Sequence, residues 1–325
     1  MDRRRFIALT AGAAVVPVCG PLAGYAQPRA KKIPRIGIID DSAVWTPFRQ
    51  ALRDAGYIEG QTIAFDTRTA DGDPGRLAAA AAYLARIPVD VIATYGTPAS
   101  RAAKAATNTI PIVMISIGDP VQAGLVQSLA RPGGNVTGNT ILALDLTAKR
   151  LQLIKEVIPS ASRVTLLWNP DNVSNTLVLE RLRAVAPGLG LTFTAAEARS
   201  PNDFDRAFAT IARERPSAVM VTNDPVHQSH IQKIISFMFQ NGLPGMFQTR
   251  ENVAAGGLMS YGASFPDLFR NGAVYVQKIL QGTKPADLPV QPVDRFNLAV
   301  NLKTAMAIGL KIPDAFLMRA DEVIE

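Results

Sequence analysis

The most constraining feature of this chain is a strand–helix pattern written twice. Four short apolar runs begin at Arg35 (RIGIID), Ile63 (IAFDTR), Asp90 (DVIATYG) and Pro111 (PIVMIS), with helix-period stretches such as RLAAAAAYLARI and SRAAKAATN between them. Four more begin at Arg163 (RVTLLWNP), Leu191 (LTFTAA), Ser217 (SAVMVTND) and Leu243 (LPGMFQT), separated by LVLERLRAVA, FDRAFATIARE and HIQKIISFMFQ. A shift of 128 positions lays Arg35 on Arg163, Ile63 on Leu191 and Thr94-Tyr95-Gly96 on Thr222-Asn223-Asp224; a shift of 132 lays Asp119 to Gly124 on Glu251 to Gly256. Alternating strands and helices predict parallel sheets with helices on both faces. A register held over three strands predicts that the unit occurs twice, as two similarly folded α/β domains. A single sheet of that many strands would be unusually wide.

Pro/Gly punctuation at residues 130–139 (ARPGGNVTGN) reads as the run-up to a crossing between the domains. After GGLMSYG (256–262) come a helix (FRNGAVYVQKIL), a loop (QGTKPADLPVQP), a strand (RFNLAVN) and a last helix (LKTAMAIGL). This surplus must return to cap one or both domains, so more than one segment crosses and a hinge is expected. We place domain 1 at residues 27–141 plus 259–290 and domain 2 at 142–258 plus 291–325.

The chain starts differently. Arg3, Arg4 and Arg5 stand against an apolar run from Phe6 to Cys19, and Ala23, Gly24 and Ala26 offer small residues for cleavage after Ala26. That is the build of an export signal. Its apolar run is too short and too proline-interrupted to cross a bilayer, which needs about 20 apolar residues. Arg3, Arg4 and Phe6 match the twin-arginine pattern; the alternative is a basic arm before an N-terminal helix. Cys19 follows Val16-Pro17-Val18, without the small preceding residue a lipoprotein peptidase wants, so a soluble exported chain is expected, with a periplasmic address and no membrane span after signal removal. The single cysteine lies in the signal, so neither a disulfide nor a thiol nucleophile is expected in the remaining 299 residues. The net charge of +7 falls to +5 without the signal and forms no Lys/Arg cluster, which gives nucleic acid no basic stripe.

In open parallel sheets ligands collect beyond the carboxyl ends of the strands. Two such rims facing each other make a cleft. One rim carries Asp41, Ser42 and Trp45, then Tyr95, Gly96, Thr97 and Pro98, then Asp119. The facing set is Asn169, Asn172, Ser174, Asn223 and Asp224, with Tyr261 at the end of a later strand. At Gly96-Thr97-Pro98 two readings stand: Thr97 caps a helix with its hydroxyl, or the free N–H groups of the helix start receive an anion such as a carboxylate. Asp119 and Asp224 each precede proline, as in a helix-start turn, or pair a ligand ammonium. Trp45, Tyr95 and Tyr261 are candidate floor residues or simply packing. Neither phosphate-cradling loop (G-x-x-x-x-G-K-[ST] or G-x-G-x-x-G) nor a G-x-S-x-G elbow occurs, and His227 and His230, the only histidines, lack further ligands at metal spacing and read as solvent-facing helix residues. No catalytic residue, metal or cofactor is expected.

The segments IPIVMISIGDPVQAGLVQSLARPGGNVTG (110–138), LTAKRLQLIKEVIPSASRVTLLWNP (146–170), GGLMSYG and the tail from Lys284 to Glu325 resemble the ABC transporter substrate-binding proteins of periplasmic type I, in the branch with tryptophan- and tyrosine-binding members. The resemblance spans nearly all of the chain beyond the signal. It implies two Rossmann-like domains joined by three crossings that close on a small solute, and partners in an ABC permease and its ATPase. It sets Gly96-Thr97-Pro98-Ala99, Asp119-Pro120, Asn169-Pro170, Asn223-Asp224 and Tyr261-Gly262 where the family has its cleft loops. The function expected is periplasmic capture of an amino acid or small carboxylate for import, with an exported sensor or enzyme on the same scaffold as the alternative.

Overall fold

The computed structural model describes residues 33–39, 42–71, 73–141 and 143–325. Residues 1–32, where the sequence leads us to expect an export signal with Arg3, Arg4 and Phe6, and Asp41 lie outside the described residues. The first lobe is built in order from β1 (Arg35–Ile39), α1 (Thr46–Asp54), β2 (Ala64–Arg68), α2 (Pro74–Leu84), β3 (Val91–Tyr95), α3 (Gly96–Ala106), β4 (Ile112–Ile117) and β5 (Val136–Thr140). The second follows as α4 (Ala143–Val157), β6 (Arg163–Trp168), α5 (Val173–Val185), β7 (Thr192–Glu197), α6 (Phe204–Glu214), β8 (Ala218–Val221), α7 (Pro225–Ser229), α8 (Ile231–Gln240), β9 (Gly245–Phe247), α9 (Arg250–Ala254) and β10 (Met259–Ala263). The chain then returns with α10 (Phe265–Leu280) and β11 (Gln291–Pro292), and ends with β12 (Phe296–Asn301), α11 (Leu302–Ala307), α12 (Asp314–Leu317) and β13 (Glu322–Ile324).

The duplication is visible in the strand orders. One sheet runs β11-β5-β4-β3-β1-β2 and the other β13-β12-β10-β9-β8-β6-β7, so 2-1-3-4-5 recurs as 7-6-8-9-10. All pairings are parallel except β10 with β12. Central strands such as β3 (VIATY) and β4 (IVMISI) are buried at every residue, as strands covered on both faces must be. Local signals start the helices: Asp73 accepts from the Arg76 N–H ahead of α2, and Ser264 from that of Asp267 ahead of α10, each followed by proline in the first turn. Two apolar clusters fill the α2–α3 face of the first lobe and the α6–α8 face of the second. A third runs from Trp45, Phe48 and Phe269 to Leu151, Leu166 and Val178, and so continues from one lobe into the other.

The type I periplasmic-binding-protein fold expected from the sequence is the one observed. Among the described residues the chain passes between lobes three times: between β5 and α4, at Ser264, and at residues 293–295. Two strands fall differently from the boundaries read in the sequence. Met259–Ala263, placed with the first lobe, pairs with β9 and β12 of the second (Met259 with Met246 and Val300); Gln291–Pro292, placed with the second, pairs with β5 of the first. Alternating apolar residues mark a strand, but the hydrogen-bonding partner is chosen by the return of α10, which packs on α1, β4 and β5.

Candidate functional site

In each lobe the strand order reverses beside the first strand, between β1 and β3 and between β6 and β8, and these are the points where a doubly wound sheet opens a crevice. The two crevices face each other, and their rims touch. Tyr95 Oη donates to Asn223 Oδ1 at 3.0 Å, and Asn223 Nδ2 donates to Ser116 Oγ at 3.3 Å. The Thr97 and Ser174 hydroxyls share a hydrogen bond of 2.8 Å. Gly96, at φ +77°, lies so close to the second lobe that a Cβ there would sit 3.0 Å from Pro225 Cγ. Val173, at the start of α5, packs on the first lobe's apolar cluster. Among the described residues, three hydrogen bonds and two packing contacts therefore join the two rims.

The second rim is organised by Asp224. This carboxylate is fully buried and accepts from Asn169 Nδ2 (3.3 Å), Asn172 Nδ2 (2.9 Å), Asn175 Nδ2 (3.2 Å) and the Val226 N–H (3.0 Å). Asn169 Oδ1 in turn accepts from the Asp171 N–H, and Asn172 Oδ1 caps α5 through the Ser174 N–H. The first rim has a backbone peculiarity: Ser116 sits at φ +60° where the β4–β5 register slips, its N–H bonded to Asn139 Oδ1. Buried non-glycine residues in this conformation concentrate at functional sites.

Several sequence expectations are corrected by this geometry. Asp224 is committed to four donors and is not open to an ammonium. Asp119 accepts from the Val121 and Gln122 N–H groups and from Gln122 Nε2, so the turn reading describes it. Thr97 does not cap α3; the residue at the cap position is Tyr95, without a side-chain cap bond, and the Thr97 hydroxyl is spent across the cleft. Trp45 is fully buried with the edges of Phe48 and Phe269 against its ring, which makes it packing rather than floor. Ser42 is exposed and its side chain makes no cap bond. His227, expected at the surface, is fully buried, bonded to Thr222 Oγ1 and the Ala198 carbonyl, and burial pushes its pKa below the ordinary value against the pull of Asp224. Pro98 is half-buried beside Thr97, and Tyr95 packs on Phe265 and Phe269 while its hydroxyl reaches Asn223. Tyr261 is half-buried, its ring 6.1 Å from that of Phe296.

Arg150 is the residue the sequence reading missed. It lies on the buried face of α4 with Thr147, Leu151, Ile154 and Val157, and is 2% exposed. Its Nε donates to the Tyr261 carbonyl at 2.7 Å, and it has no ion-pair partner among the described residues. Burial pulls its pKa from 12.5 down to about 9, against a smaller opposing effect of Tyr261, so it stays charged at pH 7. A cation on the apolar stripe of a helix was the available signal, because arginine is almost never fully buried without a partner. Trp168 Nε1 at the end of β6, Gln248 Oε1 just past β9 and Ser260 Oγ in β10 are also buried without a hydrogen-bond partner among the described residues, all in the second lobe. A separate cavity of about 460 Å³ adjoins the crossings, lined by Asn139, Ser264, Asn271, Gln291, Asp294 and Arg295, and shares none of the rim residues.

Comparison with known proteins agrees with this architecture. The chain is 27% identical over 265 residues, 81% of its own length and 76% of the relative's, to a tyrosine-binding protein of Clostridioides difficile strain R20291. It superposes with a TM-score of 0.81 at 26% identity, covering 90% of this chain and 99% of the other, on an ABC domain from Streptococcus pneumoniae in complex with L-Trp. With the ligand-free, open structure of a substrate-binding protein with adhesive properties from Clostridium difficile, the TM-score is 0.61 at 25% identity, covering 90% and 99%. A family model for the ABC transporter substrate binding protein matches residues 41–324, and by that match the chain belongs to this family, in the branch with tryptophan- and tyrosine-binding members.

Proposed function

We propose that this protein is the periplasmic solute-binding component of an ABC import system, whose two lobes bend about three crossings to enclose an amino acid or small carboxylate. The observation that carries the reading is the set of hydrogen bonds between rims, Tyr95 to Asn223, Asn223 to Ser116 and Thr97 to Ser174, which only a closed arrangement can make. The two solved relatives support it. At nearly equal identity and coverage, this chain matches the L-Trp complex far better than the open, ligand-free protein, and lobe angle is what ligand binding changes in a hinged protein. Recognition then consists of closure, and no bond is made or broken. The permease and ATPase that would receive the solute are other chains.

The test is mass spectrometry of small molecules released from the purified protein, followed by thermal-shift titration with each. A binder gains RT ln(1 + [L]/Kd) and returns its solute unchanged. Conversion of the stabilising compound to product would refute the binding-only reading. Removing either partner of the Thr97–Ser174 bond, by Thr97→Val or Ser174→Ala, is expected to weaken solute affinity about 5–10-fold, the worth of one net hydrogen bond of about 1 kcal/mol. The double variant should lose no more than either single one, as calorimetry would read.

Export by the twin-arginine route belongs to the same proposal. Replacing Arg3 and Arg4 together by lysine keeps the charge but removes the pattern its receptor reads. The expected result is retention of the full-length chain in the cytoplasm, seen by cell fractionation; unchanged periplasmic yield would assign export to another route.

A further inference from the structure

We propose that Arg150 receives a carboxylate of the solute. The inference rests on the solute-binding reading above and adds to it the group that carries the recognition. A guanidinium has five N–H donors. Here only Nε is used, on the backbone carbonyl of Tyr261, and neither terminal nitrogen has a partner among the described residues. A buried cation is costly unless it is paired and hydrogen-bonded. Among the described residues there is no pair: the one buried acid is Asp224, already held by three asparagine amides and a backbone N–H. A solute carboxylate would supply the anion that the described residues lack.

Position supports the assignment. Side chains on a helix lean toward its N-terminus, and α4 starts directly after the first crossing. Arg150 therefore reaches back toward the cleft-facing end of the second lobe. Tyr261 and Gly262 stand near the end of β10, three and two residues before the second crossing, and a Cβ on Gly262 would lie 3.4 Å from Arg150 Nη2. The guanidinium thus sits beside the strand end that leads into the second crossing, where closure would enclose an incoming carboxylate. Strand ends of the same lobe add an unpaired donor, Trp168 Nε1, and an unpaired acceptor, Gln248 Oε1. Such a set suits a ligand that carries a carboxylate together with hydrogen-bond donors, as an amino acid does.

The experiment uses the mature chain, its Arg150→Met and Arg150→Lys variants, and a panel of L-amino acids that includes tryptophan and tyrosine, each paired with its carboxamide. Calorimetry gives affinity and a thermal scan gives the ligand-free melting temperature. The expected result is that the wild type binds an acid about a hundredfold or more tightly than its amide. Arg150→Met should lose that discrimination, Arg150→Lys should keep part of it, and the ligand-free methionine variant should melt no lower than the wild type, since an unpaired buried charge has been removed. Equal binding of acid and amide by the wild type overturns the role of Arg150 while leaving solute capture intact. Retained discrimination in Arg150→Met also overturns it. If no panel member binds, the amino-acid class fails, and the melting temperature decides on Arg150: a fall marks a structural strut on the Tyr261 carbonyl and overturns the proposal, whereas a rise upholds an anion socket.

Discussion

Asp224→Ala is expected to destabilise the ligand-free protein by about 3–5 kcal/mol, the range for breaking a buried, fully engaged charge site. The substitution deletes the shared acceptor of Asn169, Asn172, Asn175 and the Val226 N–H, and it leaves four donors in a site closed to water. Two of them are tied to helix starts: Asn172 caps α5, and Val226 is in the first turn of α7. Asp224→Asn is expected to lose about half as much, because an amide keeps one acceptor oxygen but turns N–H toward N–H. Denaturant unfolding reads both. Since Asn223 and Ser174 make rim contacts from these same helix starts, solute affinity should fall along with stability. A loss under 1 kcal/mol for Asp224→Ala would show that the asparagine cluster has another source of order.

Gly138→Ala is expected to be equally severe for a backbone reason. Gly138 has φ +137°, a region open in practice to glycine alone, and a Cβ there would stand 1.9 Å from the Met114 carbonyl oxygen. Backbone meets backbone, so no side-chain rotation relieves the clash. The strand would have to part from β4 where Ser116 and Asn139 are joined, just before the first crossing. The expected loss is about 3 kcal/mol or more, or failure to fold. Gly134→Ala is the control. That glycine has no positive φ and open space around it, and the change is expected to be neutral or stabilising by up to about 1 kcal/mol. Equal tolerance of the two would remove the bulge from the account of how β5 enters the hinge.

Much of the architecture was legible before any coordinates. The 128-residue register survives as the repeated order 2-1-3-4-5 and 7-6-8-9-10, because each half carries the same sequence of buried strands and amphipathic helices. The rim loops were legible too, since Tyr95, Thr97, Ser174 and Asn223 do meet across the gap. What each rim side chain does there was not. Asp224-Pro225 looks the same in sequence whether the carboxylate faces a guest or three asparagines far away in the chain. Thr97 looks like a cap until the positive φ of Gly96 turns its hydroxyl to the other lobe. The membership of β10 and β11 depends on long-range pairing that alternation does not encode. Arg150 was hidden because an arginine in a helix rich in Lys and Leu reads as surface until its neighbours Thr147, Leu151 and Ile154 are seen to face inward.

The central claim is that the lobes bend about shared crossings to enclose a guest. Its most direct test is X-ray scattering in solution from the mature chain, alone and saturated with the amino acid or co-purified compound that raises its melting temperature most. The account predicts a smaller radius of gyration with ligand, and that the Thr97→Val and Ser174→Ala variants close less completely at the same saturation. Identical scattering curves with and without bound ligand, from a protein shown to be ligand-free at the start, would contradict it.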